Sequence, residues 1–310
     1  MLPLRRALVL PVLLVAALAG CGDDGGGGNP GDAQELLEKA FAKQVDSADL
    51  KIDIKVKLDG LAQAQGPLSL TLGGPYKSNG QKELPNLDWK LTVGGLGQNL
   101  EAGLKVTEDN AYVSYGGQDY EAGRQLFEQF AKSFRQQQPE TRQQSLKQFG
   151  VDPTSWLKDP KVEDGEDIGG DPTRKVSGDV DVRKVVKDGL ELFRSPALRR
   201  QLKSQGQAVP DVPEVKDEDI DKVEDAIKDL SFEVNIDENG IARRLFAEAK
   251  FDVPEGTDAG GLESGSFSFG FVLEKVGVNP KIEAPSNPQP LSQLLGGLGL
   301  GGGLPVPQSQ

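Results

Sequence analysis

A single thiol and no imidazole limit the chemistry open to this 310-residue chain: its only cysteine is Cys21, and it has no histidine. Histidine is the commonest general base and the commonest zinc ligand, so Ser-His, Cys-His and His-metal arrangements are excluded. Ser155 and Lys158 in "SWLK" have the Ser-x-x-Lys spacing of serine acyl-enzymes. No Ser-Asp-Asn or Lys-Thr-Gly follows, so the spacing reads as coincidence and Trp156 as a core plug. The acidic run Asp217 to Asp225 lacks the glycine of an EF-hand loop and falls at a helix start, which makes it a solvated face rather than a calcium site. "GGLGLGGG" near the C-terminus has no strand before it or helix after it, so it is no phosphate loop. Carboxylates are plentiful, 48 in all, and nothing singles out a hydrolytic pair among them. No catalytic residue, metal or cofactor is assigned.

The residues around Cys21 explain the thiol. Arg5 and Arg6 precede an apolar run, Ala7 to Ala19, that ends in small residues, the layout of a secretory signal peptide. The run is too short, and too broken by Pro11, for a permanent membrane span. "LAGC", Leu18 to Cys21, resembles the lipobox of bacterial lipoproteins, which implies cleavage before Cys21 and acylation of its sulfur. Buried acyl chains contribute about 0.8 kcal/mol per CH₂, so such a cysteine would hold the chain on the membrane without a spanning helix. The expected organisation is a lipoprotein leader at 1–20, an acylated cysteine and flexible tether at 21–31, a folded body at 32–284, and a disordered Gly/Pro/Leu-rich tail at 285–310.

Loss of Arg5 and Arg6 with the leader takes the formal charge from −13 to −15. That sign argues against nucleic acid, or an anionic bilayer face, as a main partner. With 36% hydrophobic residues the body is large enough to bury a core, as one domain or two subdomains.

Periodicity places the elements. Asp32 reads as an N-cap with Glu35 three positions on, and Leu36, Leu37, Ala40, Phe41 and Val45 as one stripe of a helix over 33–46. "LKIDIKVKL" (50–58) alternates strictly, as do "LSLTL", "LDWKLTV" and "LEAGLKV", with Gly, Pro and Asn between them; these are antiparallel strands with one dry face. "AYVSY" and "QDYEAG" form a hairpin about Gly116 and Gly117. Leu126, Phe127, Phe130 and Phe134 mark a helix lying on a sheet, and residues 141–160 another helix and a loop. Two short strands, 161–168 and 172–179, flank a Gly-Gly-Asp-Pro turn. Asp181 caps a helix with the stripe Val182, Val185, Val186, Leu190 and Phe193. A loop with Pro210 and Pro213 leads to "DEDIDKVEDAIKDL", a helix with acids at its positive end. "LSFEVNIDENGIARRLFAEAKFDV" is a hairpin turning at 237–240, and "SFSFGFVLEKV" is a third strand.

Strands, then helices, then strands predict an α+β fold: a strongly curved antiparallel sheet, a half-barrel, with helices covering its concave face. The lipobox, the early alternating half, "VEDGEDIGGDPTRKVSGDVDV" (162–182) and "FEVNIDENGIARRL" together resemble the LppX/LprG-type lipoproteins of actinobacteria. The resemblance implies a LolA/LolB-like fold and an acylated lipid or glycolipid as ligand. The candidates to line an apolar cavity are Ile52, Ile54, Val56, Leu70, Trp89, Leu91, Phe232, Val234, Phe267 and Phe269. The expected protein is therefore a membrane-anchored, extracytoplasmic lipid or glycolipid binder, not an enzyme. The alternative is an envelope interaction or sensor module, with a protein partner and a filled core.

Overall fold

The computed structural model describes residues 30–61, 66–80, 82–95, 97–137, 153–196, 199, 216–257 and 259–297. The leader, Cys21, most of the tether, the helix expected from 141, the Pro210 and Pro213 loop, and the chain beyond 297 lie outside the described residues. In chain order the elements are α1 (Pro30–Ala42), β1 (Ser47–Asp59), β2 (Leu68–Lys77), β3 (Asn86–Gly95), β4 (Gln98–Val106), β5 (Ala111–Tyr115), β6 (Gln118–Glu121), α2 (Arg124–Gln137), a 3-10 turn (Pro153–Trp156), β7 (Leu157–Asp164), β8 (Thr173–Val180), α3 (Val182–Arg194), α4 (Asp217–Ala226), β9 (Ile227–Asp237), β10 (Ala242–Asp252), β11 (Ser264–Glu274), β12 (Gln289–Pro290) and α5 (Leu291–Gly297). The class is α+β, as the alternation predicts, with a large, mostly antiparallel sheet. Its strand order is β12-β6-β5-β4-β3-β2-β1-β11-β10-β9-β8-β7.

The described residues form two compact units, the first within Met1–Gln44, Asp53–Leu68 and Gln143–Val272, the second within Val45–Ile52, Ser69–Arg142 and Leu273–Gln310. In the first, α1 buries Ala33, Leu36, Leu37 and Ala40, one face at helical spacing, and packs against β7 and β9. It starts at Pro30, where the missing N–H costs nothing. Asp32 therefore lies inside the first turn rather than capping it, and Val45 lies outside the helix. The strands expected at 161–168 and 172–179 run instead over 157–164 and 173–180. The earlier start needs the register shift between Lys158 and Lys161, where Asp159 takes φ 45°. Gly178 lies alongside, and a Cβ there would stand 2.8 Å from the Lys158 carbonyl oxygen, so only glycine fits.

The loop after β7 is fastened to the β9–β10 hairpin by a buried charge. Pairing slips between Ala242 and Arg244, so Arg243 is the extra residue of a bulge, with its side chain 2% exposed. Its guanidinium donates to Asp237 Oδ2 (3.1 Å), to Asp171, and to the Ile168 carbonyl oxygen (3.2 Å). Asp237 Oδ1 accepts the backbone N–H groups of Asn239 and Ile241 and so closes the turn. Asn235 Nδ2 donates to Thr173 Oγ1 (3.0 Å), whose hydroxyl donates to the Glu166 carbonyl (2.7 Å). The two phrases "EDIGGDPT" and "NIDENGIAR" are thus one polar joint.

Asp181 caps α3 by accepting the Lys184 N–H (2.9 Å). α3 buries Leu190 and Leu192, and also Asp188, which accepts the Trp156 indole N–H at 2.8 Å. Trp156 is therefore half-buried and held by a hydrogen bond rather than a simple plug. Lys158 of the Ser-x-x-Lys spacing pairs with Asp181 at 3.3 Å. The acids of α4 meet α3: Asp217 pairs with Lys187 (2.9 Å), and Arg183 with Asp221 and Glu224. The last residues of the helical phrase, 227–230, open β9 instead.

In the second unit, β2 to β6 form consecutive antiparallel pairs, and β5 turns into β6 through Gly116 and Gly117, both at positive φ. That is the backbone a two-residue hairpin of this hand requires. Helix α2 seats on Phe127 and Ala131, which rotates Phe130, expected in the contact stripe, to 57% exposure. The tail expected to be disordered from 285 carries structure to 297: Gln289 and Pro290 add in parallel beside Tyr120 and Glu121, and α5 follows. Backbone pairing to an edge strand orders a segment whose composition offers no core of its own.

Breaking the polar joint should be costly. Asp237→Ala, which strips the buried guanidinium of its buried partner, is expected to cost about 3–5 kcal/mol, against about 1 kcal/mol or less for the exposed Asp171→Ala; urea denaturation of both checks the order. Tyr76 offers a pH test. Its hydroxyl donates to the Val45 carbonyl (3.1 Å), and burial, with Asp46 beside it, pushes its pKa from 10.0 up to about 12. The folded chain holds this proton more tightly, so the contribution is complete below pH 10 and is lost as pH rises toward 12. Melting curves from pH 9 to 12 should therefore fall more steeply for the parent than for Tyr76→Phe.

Candidate functional site: an open apolar sheet face

The register of β2, β3 and β4 stacks like side chains across the strands of the second unit. Leu70, Val93 and Leu100 form one row, Leu72, Leu91 and Ala102 the next, then Trp89, Leu104 and Val113, and finally Leu87, Val106 and Ala111. Directly opposed residues share a face, so four apolar rows lie on one side. The other side carries Asp88, Lys90, Glu101 and Lys105, with Lys105 and Asp88 paired at 3.0 Å.

Coverage of the apolar side is uneven. Leu87 and Val106 are buried beneath Phe127 of α2, with Tyr76, Leu84, Trp89 and Ala111 packed around them. Toward the other end the face is open: Val93 is 38% exposed, Leu104 43% and Leu100 46%. Trp89 sits where covered and open rows meet, and its indole N–H is buried with no hydrogen-bond partner among the described residues. Most strand residues of natural sheets with one dry face are covered by a second layer. Here a one-sided strand pattern meets a helix that reaches only its first rows.

Two open grooves, each about 380 Å³, are formed by described residues of this unit. One is lined by Ala48, Asp49, Pro75, Lys275, Val278 and Pro280, with Lys275 and Asp49 ion-paired in it. The other lies at the margin of α2, where Arg135 and Glu83 pair at 3.0 Å. Neither is lined by any of the ten residues nominated from the alternation. Among the described residues no group of three or more His, Cys, Asp or Glu is arranged to hold a metal ion, and no helix is long and apolar enough to cross a membrane.

No protein-family model matches this chain, and no curated protein does. Among solved structures, the crystal structure of LprF from Mycobacterium bovis is similar over 84% of this chain and 100% of that chain, at 14% identity and a TM-score of 0.36. At that distance nothing about ligand or mechanism passes from one chain to the other.

The ten nominated residues fall into separate groups. Leu70, Trp89 and Leu91 share the open face just described. Phe232 and Phe269 flank Ala247 across β9, β10 and β11 in the first unit, one row from Val234 and one row from Phe267. Val234 and Phe269 are buried there, while Phe232 and Phe267 are half-buried. Ile52, Ile54 and Val56 alternate along one side of β1 and are half-buried. The residues that sequence reasoning left out are Val93, Leu100 and Leu104. Their alternation is visible in the sequence, but their exposure is not.

If the open rows carry no packing load, substitution there should leave the fold intact. Leu100→Glu is expected to change stability by about 0.5 kcal/mol or less, whereas Leu87→Ala, one end of the same sheet face, should cost about 2–5 kcal/mol. Thermal and urea denaturation measure both, and a fluorescent apolar dye should lose binding only in Leu100→Glu.

Proposed function

We propose that this chain is an extracytoplasmic lipoprotein, held on the cell membrane by an acylated Cys21, whose folded part binds or carries a lipid or glycolipid. The observation that carries the reading is the open aliphatic face of β3 and β4, where Val93 and Leu100 of one row and Leu104 two rows on are each more than a third exposed. Covering such side chains stabilises a complex by about 2–3 kcal/mol in all. An acyl chain leaving a bilayer exchanges one apolar environment for another, so this gain on the protein side decides whether transfer is favourable. The "LAGC" phrase at Leu18 to Cys21 and the resemblance of residues 162–182 to the LppX/LprG-type lipoproteins support the same assignment. Ile52, Ile54, Val56, Phe232, Val234, Phe267 and Phe269 remain proposed ligand-lining residues alongside Leu70, Trp89 and Leu91. No catalytic step and no cofactor belong to this reading.

Composition favours a lipid over a protein partner. Protein interfaces concentrate binding energy in Trp, Tyr and Arg, with Leu and Val under-represented, and the open rows are aliphatic. Native mass spectrometry with solvent extraction of the chain secreted into a bacterial periplasm tests the proposal. Co-purified acyl lipid at about one per chain is expected. A chain that stays ligand-free after incubation with membrane lipid extracts would overturn it.

A further inference from the structure

The indole N–H of Trp89, buried with no hydrogen-bond partner among the described residues, belongs to the row at the inner end of the open stripe. A buried donor without an acceptor costs about 1–3 kcal/mol, and buried polar groups of native chains are satisfied in nine cases of ten or more. Around it the contacts are apolar: Leu104 is directly opposite, and Leu87 and Leu91 are the same-face neighbours along β3. From the Trp89 row to the Val93 row is four residues, about 13 Å at 3.3 Å per residue. One leaflet's acyl chains fill about 15 Å, half of a hydrocarbon core of about 30 Å. Along β3 and β4 the stripe therefore has the length of one acyl chain, carries the aliphatic side chains Leu91, Val93, Leu100 and Leu104, and ends at the Trp89 N–H.

We infer that Trp89 is the polar contact of an acyl-ester lipid: the chain lies along Leu91, Val93, Leu100 and Leu104, and its ester carbonyl oxygen accepts the Trp89 Nε1–H. This rests on the lipid-binding reading above and adds the orientation of the ligand and the one hydrogen bond that fixes it. A hydrocarbon of equal length would gain the apolar contacts but leave the indole unpaired, so the site prefers acyl esters to alkanes.

Two tryptophans make the test direct. The otherwise complete mature chain, carrying Cys21→Ser so that no anchor competes, is titrated with the methyl ester of a dibromostearoyl chain and with a dibromoalkane of equal length. Bromine quenches tryptophan on contact. In Trp156→Phe, where Trp89 is the sole reporter, saturable quenching is expected; in Trp89→Phe, where Trp156 reports, none. By calorimetry or displacement, Trp89→Phe should bind the ester about 5- to 10-fold more weakly and the alkane unchanged, and Leu100→Glu should weaken both at least 10-fold. Binding that quenches Trp156 instead, or a Trp89→Phe variant that treats ester and alkane as the parent does, would overturn this inference and leave lipid binding standing. No saturable binding of either probe to the parent would overturn the lipid reading itself.

Discussion

A strand that alternates apolar and polar residues creates an obligation: its dry side must be covered, by a helix, by another sheet or by something from outside the chain. In the first unit the obligation is met. α1 lays Ala33, Leu36, Leu37 and Ala40 against β7 and β9, and Val176 and Val234 are wholly buried. In the second unit, among the described residues, α2 covers the Leu87 and Val106 row: Phe127 and Ala131 are buried, and Phe130 turns away. The open rows follow from that partial coverage.

Electrostatics serve the fold more than the site. The buried Arg243–Asp237 pair would lose more from desolvation than it gains by attraction if it stood alone. The added bonds to Ile168, Asp171, Asn239 and Ile241 leave no unpaired charge, and they fasten a Gly-Gly-Asp-Pro turn to a distant hairpin. The acids of α4 serve a similar end by meeting Arg183 and Lys187 of α3. Charge that reads as a solvated face in the sequence is, in these places, the contact between two helices.

Strand existence, helix α1 and the hairpins at 116–117 and 237–240 were legible because alternation, turn glycines and helical spacing are local properties of neighbouring residues. So were the exclusions: a chain without histidine cannot assemble histidine chemistry in any fold. Boundaries moved where a single residue type overrode the pattern, as at Pro30, at Asp159 with its positive φ, and at the 289–290 segment that an edge strand recruits. In the Ser155–Lys158 spacing, Lys158 turns to Asp181. Exposure was decided at another level. Leu87 and Leu100 belong to equivalent alternating runs, yet one is sealed beneath Phe127 and the other is nearly half exposed, because coverage depends on which row a helix from elsewhere in the chain packs against rather than on either strand. The Arg243 bulge and the Trp89 N–H likewise depend on register between segments far apart in the chain, which periodicity along one strand does not contain.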